Sequence, residues 1–287
     1  MKSLYDVPAP AKLNLFLHVT GRRDDGYHLI QSAFVLVDWC DALHFELRRD
    51  GVISREDLTA QLPAEDLIVR AAKALQAATS TRHGVHVGIE KNVPDQAGMG
   101  GGSSDAASCL LALNRLWRLG LSLGQLSGIG LSLGADVPFF LSGRNAWVQG
   151  IGDSITPIDV PRARYLVVKP PNGLQTGRIF SDPDLIRDTG TAILSGFAAD
   201  PQGFGRNDLQ AVAQRYCPGV TQALDWLAAN GLKGRMTGSG SAVFVSTLNE
   251  VALRKAPPNF QVRWCSGLDV HPLVGWAPSN GLTVGSD

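Results

Sequence analysis

The sequence predicts a mixed α/β (α+β) fold in two parts, on three observations. Alternating strands come in close succession near the start and give way to helical stripes. A run of glycines separates a strand from a helix, and prolines at 157 and 161 interrupt the chain near its middle. With 287 residues the chain can bury a large core without a disulfide or metal staple.

Residues 11–19 (AKLNLFLHV) alternate, with Leu13, Leu15, Leu17 and Val19 on one face and Lys12, Asn14, Phe16 and His18 on the other, so a strand with one polar-bearing face is expected. The turn GRRDDGYH follows, then strands at 33–39 and 42–47. Residues 66–78 put Leu67, Ala71, Ala74, Leu75 and Ala78 on one helical stripe, with Asp66 in the N-cap position. A strand at 84–90 leads into PDQAGMGGGSSDAA (94–107), and 106–117 reads as a helix. A further helix at 123–133 stops at Gly134, and the short segment GADVPFF comes next. A strand at 145–149 and the turn GIGDS then reach the prolines, which divides the chain into expected domains at 1–156 and 157–272. The second part starts with a strand at 165–169 and a PPNG turn. It continues with helices around 176–180, 208–216 and 218–230, a second glycine loop, MTGSGSAVFV (236–245), and then a helix and a strand. Residues 273–287, rich in Gly, Pro, Ser and Asn, are expected to form a flexible tail.

Charge narrows the functional classes. The 26 Lys and Arg balance 26 Asp and Glu, so the broad positive field of a nucleic-acid binder is missing and no nucleic-acid partner is expected. No stretch reaches 18 apolar residues and the start shows no secretory h-region, so the expectation is a soluble cytoplasmic protein with no membrane partner. Cys40, Cys109, Cys217 and Cys265 are widely spaced and suit buried free thiols better than a metal or redox motif. His83 and His86 flank a strand start on opposite faces, so no metal site built by protein residues alone is expected.

The chemistry gathers in a few short stretches. Gly98, Gly100, Gly101 and Gly102 precede a helix opening at Ser103 and Ser104, where converging backbone N–H groups and the helix dipole suit a phosphate. A structural turn is the alternative, although a GGG run is costly in backbone entropy. The hydroxyls can bond phosphate oxygens or ligate Mg2+, or Ser103 can serve simply as an N-cap. Asp136 is a lone acid among small and apolar residues, and can be a general base or a helix cap. Lys12 and Asn14 share a strand face; Lys12 can orient an ionised Asp136 and add charge where phosphate moves, or it can snorkel to the surface. Tyr27 and His28 stand in a turn, and the loop around Thr237 to Ser241 can hold a second anionic group or make a tight strand entry.

PAKLNLFLHV, PDQAGMGGGSSDAA, GADVPFF and MTGSGSAVF together resemble the GHMP kinase superfamily, whose three motifs occur in this order. More narrowly, PAKLNL followed by GRRDDGYH resembles the branch that phosphorylates a cytidine diphosphate-linked methylerythritol in non-mevalonate isoprenoid biosynthesis. The resemblance covers nearly the whole chain. It implies a two-domain GHMP kinase fold with the active site in the interdomain cleft, and phosphorylation of a 2-hydroxyl from ATP with Mg2+. On the matching positions, Asp136 would be the catalytic base and Lys12 its charged partner, with Asn14 near the acceptor. Tyr27 and His28 would contact the cytidine end and Phe180 would lie over the pyrimidine. The loop from Pro94 through Gly98, Met99, Gly100, Gly101, Gly102, Ser103 and Ser104 would wrap the ATP phosphates, with Lys91 and Asp66 near the adenosine. Gly238, Ser239, Gly240 and Ser241 would close on the substrate's phosphates. Two positions depart from the pattern: Asp66 stands where Asn is usual, which puts its adenosine contact in doubt, and Met99 replaces a usual Leu. Homoserine or mevalonate kinases of the same superfamily would lack the Tyr27 and His28 pair, and a nucleotide-binding protein without catalysis is the alternative of another class.

Overall fold

A computed structural model describes residues 1–279. The chain begins with two long antiparallel strands, β1 (Ser3–Arg22) and β2 (His28–Arg48). The expected breaks do not interrupt them. What read as two strands at 33–39 and 42–47 is the single β2, because a register shift between Pro10 and Ala11 absorbs the irregular residues and pairing resumes beyond it. The polar-bearing face of β1 turns inward: Lys12, Asn14 and His18 are 4%, 1% and 9% exposed, since both sides of the strand are covered.

β3 (Ile53–Asp57), α1 (Leu67–Thr79), β4 (Gly84–Glu90), α2 (Gly101–Leu116), α3 (Leu123–Leu133), α4 (Val137–Ser142), β5 (Ala146–Gln149) and β6 (Ser154–Pro157) complete the first half. The second half holds β7 (Arg164–Lys169), α5 (Thr176–Phe180), α6 (Leu194–Ala199), α7 (Gln210–Tyr216), α8 (Pro218–Ala229), β8 (Arg235–Met236), β9 (Val243–Thr247) and β10 (Gln261–Leu268). Hydrogen bonding runs β3-β4-β2-β10-β7-β9-β8, with β1 and β5 also on β2 and β6 on β5. β10 bridges the halves, pairing with β2 through Gly267 and Leu268 and with β7 over 261–266.

Three apolar clusters fill the interior. One packs α1, α2 and α4 on the first-half strands, through Ile68, Leu110, Phe139 and Phe34 among others. Another joins the halves, bringing Leu13, Phe16 and Trp147 together with Tyr165, Val167 and Phe244. A third packs α7 and α8 on β7 and β9 through Val212, Leu227, Val168 and Val243, and reaches Leu17 and Val19 of β1.

Three expectations are corrected. The helix expected at 106 begins at Gly101, so the last glycines of the run are its first turn. No helix follows β9 among the described residues; Pro257 and Pro258 interrupt the run that leads to β10. The expected tail is anchored over its described part, 273–279: Leu273 and Ala277 are buried in the first-half core, because the chain after β10 returns to pack beside α3 and α4. The rest of the expected tail, 280–287, lies outside the described residues. None of the described helices is long and apolar enough to cross a membrane.

Candidate active site

β1 carries Lys12 and Asn14 on one face, and the pleat sends both side chains the same way. Lys12 Nζ donates to Asn14 Oδ1 at 2.5 Å, lies 3.5 Å from Asp136 Oδ2, and sits 4.6 Å over the Phe34 ring. At 4% exposed, Lys12 is no snorkelling surface lysine. Asn14 is held in turn: its Nδ2–H donates to Ser32 Oγ at 3.0 Å and its backbone N–H to Thr237 Oγ1 at 2.9 Å. Asp136 occupies the N-cap position of α4, yet its side chain makes no cap bond. Its carboxylate, 29% exposed, is left facing Lys12 and a cavity.

That cavity has a volume of about 1080 Å³. It lies at the upper end of the range for small-molecule sites and has room for more than one ligand. It is lined by Lys12, Asn14, Tyr27, His28, Lys91, Pro94, Gly98 through Ser103, Asp136, Phe180 and Gly238 through Gly240, residues drawn from both halves.

The N-terminus of α2 opens on this cavity. Gly100 is its N-cap, with φ 72° and no capping side chain, so Ser103 is not the cap. Ser104 N–H bonds the Gly100 carbonyl at 2.9 Å, which leaves the Gly101, Gly102 and Ser103 N–H groups without partners inside the helix. Together with the dipole of a 16-residue helix they form an anion site carrying roughly half a positive charge. Gly98 serves a different need: a Cβ there would meet the Thr237 carbonyl oxygen at 2.3 Å. The two glycine loops are pressed backbone to backbone.

Four candidates reach the site differently from the expectation, or not at all. Ser104 is fully buried and its Oγ–H donates to the Pro10 carbonyl at 2.7 Å, because it falls one residue round the helix from Ser103. Ser241 is likewise buried, its Oγ–H donating to Asn172 O at 2.6 Å. Asp66 does not line the cavity; its Oδ1 caps α1 by accepting from Val69 N–H at 3.0 Å and pairs with Arg55 Nη1 at 2.7 Å. Met99 buries its side chain, and its carbonyl accepts from Lys12 N–H at 2.9 Å, so its contribution is through backbone.

Elsewhere on the cavity, His28 and Phe180 come from different halves and their rings pack 5.0 Å apart, tilted by 39°. Tyr27 beside them is exposed. Lys91 is pinned between two buried acids, Asp41 and Asp105, with Asp105 Oδ2 at 2.8 Å. Burial works against the Lys91 charge, but Asp105 and then Asp41 outweigh it and raise the pKa. Asp105 itself is pushed up to about 8, by burial first and by Asp41, against the pull of Lys91. Spacing did not reveal this triad, since Asp41 and Asp105 are far apart in sequence. Thr176, whose Oγ1 lies 2.7 Å from Ser239 Oγ, was also missed; it sits one helical turn before Phe180, on the same face of α5.

Two family models match the chain, GHMP kinases N terminal domain over residues 66–144 and GHMP kinases C terminal over 194–256. A protein of Albidiferax ferrireducens named 4-diphosphocytidyl-2-C-methyl-D-erythritol kinase is 71% identical over 286 residues, covering 100% of both chains. The chain belongs to the GHMP kinase family. It is accordingly an ATP-dependent kinase. A relative of the same name from Variovorax paradoxus is 63% identical, over 96% of this GHMP kinase and 100% of the relative. A solved structure of 4-(cytidine 5'-diphospho)-2C-methyl-D-erythritol kinase superimposes with a TM-score of 0.71 at 31% identity, covering 92% of this chain and 99% of that one.

Proposed function

We propose that this GHMP kinase transfers the γ-phosphoryl group of ATP to the 2-hydroxyl of 4-diphosphocytidyl-2-C-methyl-D-erythritol, a step of non-mevalonate isoprenoid precursor synthesis, in the cytoplasm. The observation that carries the reading is one cavity with an anion-binding helix N-terminus, a buried Lys12 beside an uncapped Asp136, and the Tyr27, His28 and Phe180 cluster. The names of relatives at 60–71% identity support it.

Phosphoryl transfer is mostly alignment and charge stabilisation. The Gly101, Gly102 and Ser103 N–H groups hold the ATP phosphates, and Gly238, Ser239 and Gly240 close on the other substrate's phosphates. Asn14 holds Lys12, which faces the Asp136 carboxylate and offers charge to the migrating phosphoryl group. Asp136 accepts the proton of the attacking hydroxyl. No three His, Cys, Asp or Glu residues gather as a metal cage among the described residues. The donors on the cavity, the Ser103 hydroxyl and the Asp136 carboxylate, nevertheless suit the hard, mostly phosphate-held Mg2+ of a nucleotide site. When bound, Mg2+ neutralises phosphate charge. Tyr27, His28 and Phe180 take the cytosine, and Lys91 lies near the adenosine.

Coupled ADP release tests this reading with the cytidyl substrate, homoserine and mevalonate offered in parallel. ADP release with the cytidyl substrate alone is expected. Faster turnover of homoserine or mevalonate would overturn the substrate assignment, and silence with all three would leave a nucleotide-binding protein.

A further inference from the structure

Arg187 lies between α5 and α6, outside every motif, and its guanidinium is fully committed. Nη1 donates to the carbonyls of Pro183 at 3.4 Å and Leu185 at 2.9 Å, and Nη2 to those of Phe180 at 3.2 Å and Asp182 at 2.6 Å. Nε donates to His28 Nε2 at 3.0 Å. Arginine has five N–H donors and no acceptor, so these bonds exhaust it, and the ring nitrogen facing Nε must supply a lone pair. His28 is therefore neutral, with its proton on Nδ1. Burial, followed by the charges of Arg187 and Arg22, disfavours the imidazolium, in the same direction. The arginine also fixes the ring's surroundings, because one of the carbonyls it holds belongs to Phe180, whose ring packs on His28.

We propose that Arg187 is a positioning residue for base recognition: its donation to Nε2 fixes His28 as the Nδ1–H tautomer, so this part of the cavity offers an N–H donor beside an aromatic face to a ring acceptor of the base. The inference rests on the cavity being a cytidyl-substrate site. A base presenting its own donor at that point would set N–H against N–H and be rejected, the strong form of discrimination that a hydrogen-bonding site can impose. The tautomer is the less common one for a free imidazole, so something must enforce it, and Arg187 is the group in contact with Nε2.

The test is nitrogen-15 NMR of His28 in the intact enzyme above neutral pH, in the wild type and in Arg187→Met, alongside steady-state kinetics. The wild type should show a protonated Nδ1 and an unprotonated Nε2, with the variant moving towards the Nε2–H form. KM for the cytidyl substrate should rise roughly tenfold, the scale of one lost hydrogen bond, while KM for ATP is unchanged. A wild-type proton on Nε2 would overturn the proposal even if the variant failed to fold, as would a variant with unaltered tautomer or unaltered KM. A wild type with the Nδ1–H tautomer but no turnover of the cytidyl substrate would sink the functional reading and still support the pairing of Arg187 with His28.

Discussion

Asp136 stands first at α4 yet leaves the cap unmade, and its carboxylate is left on the cavity beside Lys12. Lys12 is the reciprocal case, a buried cation held by Asn14 Oδ1 and the face of Phe34 as well as by Asp136. On the proposed reading, Asp136→Asn removes the proton acceptor with little change of shape. It should lower kcat by about 10² to 10⁴-fold, the span of general-base contributions, with ATP affinity retained. Lys12→Met should lose rate comparably. Rapid-quench turnover and an equilibrium ATP titration check both, and an Asn variant with unchanged kcat would remove Asp136 from the chemistry.

At the scale of elements, helix ends do two kinds of work. The N-terminus of α2 is left open on the cavity, and Gly100 lets the backbone turn in at φ 72°. The N-terminus of α1 is closed by Asp66, which also pairs with Arg55 where both side chains are largely buried. Asp66→Asn keeps a good cap but discards the charge facing Arg55. It should cost roughly 1 kcal/mol in chemical denaturation, with KM for ATP unchanged. A raised KM with undiminished stability would return residue 66 to the nucleotide site. The glycine loops have a structural duty as well, since a side chain on Gly238 would meet the Gly98 backbone and one on Gly98 would meet that of Thr237 and Gly240.

Across the whole molecule, the segment after β10 fastens the second half's last strand back onto the first-half core. His271 sits in that seam, 2% exposed, with Nδ1 accepting from Leu273 N–H at 3.1 Å and Nε2 unpartnered. Burial lowers its pKa to about 4 from the ordinary 6.5. The folded state therefore prefers the neutral ring while the unfolded chain protonates near 6.5, so the stability contributed is whole above that pH. It is lost progressively as pH falls from about 6.5 through about 4, on the order of 3 kcal/mol in all. His271→Asn keeps an acceptor for Leu273 N–H and cannot titrate there. The stability difference between wild type and variant, measured by urea melts, should shrink towards acid, and a difference independent of pH would contradict this account.

Much of the site was legible because its chemistry is local: strand alternation puts Lys12 and Asn14 on one side, a glycine run opens a helix, and a short acid-proline segment marks Asp136. Helices were legible where the apolar period and a stop signal agree, as at α3 and Gly134. The sequence by itself determined the class, the loops and the motif residues, since dihedral freedom and side-chain period depend on near neighbours. Only the tertiary structure decided which of two adjacent serines, Ser103 or Ser104, faces the cavity, that Lys91 lies between Asp41 and Asp105, and that Arg187 meets His28. Those outcomes depend on helix rotation and on contacts between residues 14 to 159 positions apart, which packing sets and local pattern does not encode.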